Sequence, residues 1–457
     1  MKRQGYLLLT LQPGEAPRHV PAHIDCLAGA CRHASHLDGG PIDRVISRYG
    51  GGCRCTCLFH AKRSLGRWGE QHTEFDDIEE RLGLSRTIRI ELAEAEHTEA
   101  TVAELRGLST VESVAVEGFA YTFAAVTEME AASRIDVWEP HEQIHAVEAH
   151  RLEPGDERVR SCVADTGVVV GHPEFQRRCL AGYDTVDLGM GRLSDDVRLV
   201  GDSRGTDYNP NDEVGHGSGV AGIMGAQGWR VPPGVGGHSL LLPLRLLAAA
   251  RTKGGRKRTG VGAQGDIDSG LKVGADLGAD LFNLSFGTPA IQADPNAPPP
   301  HSRPVAYALA HGCTLVAAAG NSGRREAYYP AALEGVIAVG SVSREGERSK
   351  FSTHGPHLDL CAPGEGIFTA GRRGYQFSTG TSFAAPFVSG VAALLIARAK
   401  RLGQRITPDR VRTLLIESAS PLGRGFNEET GHGLLNAVEA IRRLDAEFSA
   451  ASLGRTA

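Results

Sequence analysis

Residues 382–398 constrain this chain more than any other stretch. They read Ser-Phe-Ala-Ala-Pro-Phe-Val-Ser-Gly-Val-Ala-Ala-Leu-Leu-Ile-Ala-Arg. As a helix, the segment is apolar almost all round: Phe383, Ala384, Ala385, Phe387, Val388, Val391, Leu394 and Leu395 leave no face for water. Such a helix belongs in the middle of a domain, enclosed by other elements. The enclosing material is visible upstream. Short apolar, β-branched runs at 159–164, 240–246, 279–285, 314–319 and 336–342 alternate with helical patterns at 217–225, 267–277, 305–311 and 408–418. That alternation predicts an α/β fold, a mostly parallel sheet flanked by helices.

At 457 residues the chain exceeds one typical domain. Residues 1–130 read differently from the rest. Strands are expected at 6–11, 53–60, 87–92 and 111–123, and helices at 42–49, 76–82 and 99–105, an α+β order. The expected division is therefore an N-terminal α+β domain, 1–130, and a catalytic domain, 131–457. A Pro-rich stretch, 294–304, and a basic one, 251–259, read as surface insertions. The net charge of −5, with lysines and arginines spread along the chain, argues against a nucleic-acid partner. No membrane partner is expected: the apolar stretch 239–250 is short and broken by Pro243 and Arg245. The run from Tyr6 to Leu11 is too short for a signal peptide, and nine cysteines, an odd number, suit a reducing compartment. The expectation is a cytoplasmic protein, with signal-independent secretion left open.

Four short segments carry chemistry. Asp165-Thr166-Gly167 follows the strand at 159–164, at the sheet edge where catalytic groups gather, although Asp-x-Gly is also ordinary turn chemistry. Gly215-His216-Gly217-Ser218-Gly219 surrounds an imidazole with glycines that would otherwise weaken a helix start. Gly380-Thr381-Ser382 places a hydroxyl at the N-terminus of the buried helix. Free N–H groups there suit a developing oxyanion, and Ser is also a favoured N-cap. Pro386 falls early in that helix, where a missing N–H is expected to do least harm. Asn321, after Ala317-Ala318-Ala319-Gly320, can offer an amide as a second oxyanion donor or close a turn. Taken together they form one mechanism. His216 takes the proton of Ser382, Asp165 holds the imidazole, and Asn321 with the Ser382 N–H holds the oxyanion.

These segments resemble the subtilisin-like serine peptidases, the subtilase family. The matching stretches are 163–175, 215–222, 280–287, 314–323, 352–364, 380–395 and 431–437. The resemblance implies a serine endopeptidase acting on protein or peptide substrates through an acyl-enzyme. It implies that Ser285, Phe286 and Gly287 form the edge that pairs with substrate, and that Ala318, Ala319 and Gly320 line the pocket for the residue before the cut. The basic stretch 251–258 falls where relatives carry a substrate-binding loop; it reads either as a solvated loop or as a selector of acidic residues upstream of the cut. Residues 1–130 resemble a prosegment, a chaperone and inhibitor whose tail lies in the cleft, so the chain's own N-terminal region is a candidate inhibitor, as is a separate inhibitor protein. The alternative is a catalytically silent subtilase-like binding or scaffold protein.

No cofactor is expected. Calcium is common in relatives, yet no acidic loop here is assigned to it. Cys53, Cys55 and Cys57 alternate and would face one side of a strand, with Cys26, Cys31, His33, His36 and His60 nearby in sequence. Zinc is conceivable there, but the spacing fits no standard ligand pattern, and buried or free thiols are the simpler reading.

Overall fold

The computed structural model describes residues 2–62, 74–123, 136–189, 192–194, 196–255 and 257–453. The expected domain boundary at 130/131 lies outside the described residues, as does Arg256. At the centre is a seven-stranded, wholly parallel sheet. Its order is Leu360–Pro363, Val336–Val342, Thr314–Ala318, Leu281–Leu284, Arg160–Asp165, Leu240–Arg245 and Tyr183–Asp184. Helices cover both faces, so strands such as Val336–Val342 are buried at every residue.

The apolar helix runs from Thr381 to Arg401 and packs across this sheet. By length and composition it could cross a membrane, a feature the sequence reading did not pick out. Here 94% of its most apolar window is buried inside the protein. Pro386 corrects one expectation. It lies well inside the helix, where its missing N–H leaves the Ser382 carbonyl without the usual i→i−4 partner. The Ser285 hydroxyl donates to that carbonyl instead, at 2.9 Å. Ser285 Oγ in turn accepts from Asn283 Nδ2 at 2.8 Å, and Asn283 Oδ1 from Ser389 Oγ at 2.9 Å. A buried polar chain therefore pins the helix to the strand Leu281–Leu284.

In the N-terminal region, Lys2–Leu11 lies antiparallel between Thr87–Leu92 and Val111–Thr122, with Cys53–Cys57 beyond Thr87–Leu92. Helices Pro41–Gly50 and Thr98–Arg106 cover one face, over Leu7, Leu9, Cys55, Cys57, Ile88 and Ile90. The other face meets the helices Gln264–Asp276 and Ser302–Ala310 through buried charge. Arg89 bonds Glu117 at 3.0 Å and Asp266 at 2.7 Å, Glu117 accepts the Gly265 N–H, and Lys272 meets Glu79 at 2.6 Å.

The largest departure from expectation is a second sheet that runs across the supposed domain boundary. Val111–Thr122 pairs antiparallel with Thr259–Ala263, which pairs with Ala248–Thr252 and then Val197–Leu199. The basic stretch is thus no plain insertion; it is the turn of the hairpin Ala248–Thr252/Thr259–Ala263. These strands read Ala-Ala-Ala-Arg-Thr and Thr-Gly-Val-Gly-Ala, poor in β-formers, so their pairing comes from tertiary context.

Candidate active site

Asp165 ends a central strand and His216 opens the helix His216–Gly225. The two meet: His216 Nδ1 lies 2.7 Å from Asp165 Oδ1, with both side chains buried. Residue 217 must be glycine for this approach, since a Cβ there would stand 2.1 Å from the Gly167 carbonyl oxygen. Asp165 Oδ1 also accepts the Thr166 N–H at 2.7 Å. Asp212, which the sequence reading missed, braces the helix start by accepting from Gly215 N, Ser218 N and Thr166 Oγ1. Burial alone would lower the His216 pKa. The charge and hydrogen bond of Asp165, with the charge of Asp212, outweigh it and hold the imidazole above its ordinary value.

Ser382 sits in the first turn of the buried helix, and the Phe383 ring lies 5.2 Å from the His216 ring. The Ser382 hydroxyl donates to the Ser285 carbonyl at 3.2 Å and not to His216, whose Nε2 is buried without a hydrogen-bond partner. The expected Ser–His hydrogen bond is therefore not made in this conformation. Catalytic hydrogen bonds are often long or misaligned before substrate binds. Asn321 has its Oδ1 occupied by the N–H and O–H of Thr381, at 2.9 and 2.8 Å. That fixes the amide so that Nδ2 is the donor end, on the side of Gly380. Thr381 was also missed; its place beside the nucleophile was the available signal.

The expected substrate edge is occupied. The end of Val111–Thr122 lies between two strands, with Tyr121 opposite Val261 on one side and Gly287 on the other, and Thr122 opposite Phe286. Extending this register by one residue sets Phe123 opposite Ser285, whose carbonyl holds the Ser382 hydroxyl. The buried Phe123 ring contacts Tyr328 edge-on at 5.2 Å and lies against Gly287. Tyr328 also stands over Gly320, beside the buried Ala318 and Ala319. No sequence motif singled Tyr328 out. Among the thiols, Cys55 and Cys57 are buried and donate to backbone carbonyls, and burial pushes Cys57 up to about 12. Among the described residues no group of three His, Cys, Asp or Glu side chains is placed to hold a metal ion. Neither zinc nor calcium is therefore given a site or a step.

An aspartate-bound imidazole beside a helix-end serine, at the carboxyl ends of a parallel sheet, defines a serine hydrolase site. Residues 157–433 match the model of the subtilase family, Peptidase_S8. The chain is 35% identical over 244 residues to the thermophilic serine proteinase of Bacillus sp. (strain AK1), covering 52% of each chain. It therefore spans about half the length of that relative. It is 28% identical to thermitase of Thermoactinomyces vulgaris, over 66% of this chain and 94% of that one. Among solved structures, proteases from Pseudoalteromonas arctica PAMC 21717 superpose with a TM-score of 0.55 and 25% identity, over 67% of this chain and 97% of theirs. The chain belongs to the subtilase family, the subtilisin-like serine endopeptidases.

The relatives correct the expected location. They are mostly secreted or extracellular subtilases, among them the extracellular serine proteinase of Thermus sp., although the major intracellular serine protease of Bacillus subtilis is also similar. The cytoplasmic reading does not stand: cysteine parity and a weak N-terminal apolar run are poor guides to compartment.

Proposed function

We propose that this chain cleaves peptide bonds of protein substrates through an acyl-enzyme on Ser382, and that its own N-terminal region, 1 to about 130, closes the cleft as a prosegment does. Rotation of the Ser382 hydroxyl away from the Ser285 carbonyl brings it to His216 Nε2, which takes the proton as the oxygen attacks. Asp165 fixes the tautomer with the proton on Nδ1 and stabilises the imidazolium. The oxyanion is held by Asn321 Nδ2 and the Ser382 N–H, and His216 then protonates the leaving amine. Substrate backbone adds as a strand between Thr259–Ala263 and the segment from Phe286.

The single observation that carries this reading is the strand ending at Phe123, which already lies in that slot. The buried Arg89–Glu117–Asp266 contacts support inhibition in cis. The test is hydrolysis of quenched peptides and labelling by a fluorophosphonate. Both are expected from the wild-type chain and lost in Ser382→Ala. A chain that does neither, even with residues 1–123 removed by limited proteolysis, would be the silent binding protein instead.

A further inference from the structure

The peptidase reading leaves one charged feature unused. Two loops distant in sequence bring three guanidinium groups to the loop that leads into His216. Arg258 closes the basic stretch, and its Nη1 donates to the Glu213 carbonyl at 2.7 Å. Arg372 and Arg373 form the two-residue turn between Ile367–Gly371 and Gly374–Ser378, where Gly371 pairs with Gly374. That hairpin leans on the same loop: Gln376 Nε2 donates to the Gly215 carbonyl at 2.8 Å. A Cβ on Gly215 would stand 3.2 Å from the Arg372 Cβ. Glu213 and Gly215 precede His216 by three residues and one, so the cluster lies on the cleft wall beside the imidazole.

None of the three arginines lies within ion-pair distance of a carboxylate among the described residues. The two nearby acids are committed elsewhere. Glu213 accepts from the Asp202 N–H at 2.9 Å and from Arg245 at 3.3 Å, and Asp212 from the backbone of its own turn. Burial, then the charges of Arg258 and Arg373, hold the Arg372 pKa below its ordinary value, a sign of crowded like charge. Cations gathered at a cleft without internal partners are suited to an incoming anion.

The inhibitory strand shows which substrate position they face. Thr122 directs its hydroxyl to the Gly260 N–H at 2.9 Å and to Thr259 Oγ1 at 3.1 Å, and Thr259 follows Arg258 in the chain. We propose that Arg258, Arg372 and Arg373 select substrates carrying Asp or Glu immediately before the residue that fills the Phe123 pocket. This inference rests on the peptidase reading, and Thr122 in the chain's own segment leaves that charge unanswered.

The test uses protein expressed as the full chain and three quenched peptides, with Phe fixed and Glu, Gln or Lys before it. The Glu peptide should exceed the Gln peptide about tenfold in kcat/KM at low salt, the scale of charge-assisted contacts that stay partly in water. The ratio should fall towards one at 1 M salt, where screening acts over about 3 Å. It should also collapse in the variant Arg258→Ser/Arg372→Ser/Arg373→Ser. Equal cleavage of Glu and Gln peptides by the wild type, or a preference that survives the triple substitution, overturns the selection and leaves the peptidase reading intact. Cleavage of none of the peptides, without fluorophosphonate labelling, overturns both.

Discussion

Phe123 is the residue through which the closed cleft is most directly tested. Its ring is buried and meets Tyr328 edge-to-face at 5.2 Å. Burying a Phe side chain contributes about 2–3 kcal/mol, and the aromatic pair roughly 1 kcal/mol more. Phe123→Ala should therefore weaken closure by about 3–4 kcal/mol, which at about 1.4 kcal/mol per decade is a 10²–10³-fold shift towards the open cleft. The assay is the rate at which a fluorophosphonate labels the uncut chain, read by intact mass so that processed molecules are counted apart. Uncut Phe123→Ala should be labelled 10²–10³ times faster than uncut wild type. Equal rates would mean that Phe123 does not gate Ser382, and the inhibitory register would be wrong.

Further outcomes follow from the same contacts. Because Asp165 holds the His216 pKa up, and only the neutral imidazole can act as base, kcat/KM should fall as pH drops through an inflection above about 6.5, the ordinary histidine value. Asp165→Asn should move that inflection down and cut kcat by about 10⁴, measured as pH–rate profiles. Asn321→Ala should lower kcat about 10²–10³-fold with little change in KM, as loss of a transition-state donor does. Ser285→Ala strands the Ser382 carbonyl and should cost about 1–3 kcal/mol in thermal unfolding. Adding Pro386→Ala, which restores an N–H donor, should recover part of that loss; strict additivity of the two changes would refute the replacement bond.

What was legible in the sequence was whatever local pattern encodes. Val336–Val342 and the helix Thr381–Arg401 announce themselves because burial on every side demands unbroken apolar residues. Asp165, His216, Asn321 and Ser382 stood out because each close approach requires small neighbours. The strands Ala248–Thr252 and Thr259–Ala263 did not, since their pairing with Val111–Thr122 and Val197–Leu199 is a long-range matter. Tyr328 and Asp212 likewise gain their roles only when distant loops fold together. Pro386 was visible but misjudged, because its compensating donor, Ser285, is about a hundred residues away in sequence.

The central claim is that a carboxylate, an imidazole and a hydroxyl act as one unit. Its most direct test is kcat for Ser382→Ala, His216→Ala and the double variant, on one peptide. The account predicts that all three fall to the same residual rate, since members of one unit cannot be lost twice. Losses that multiply in the double variant would contradict it.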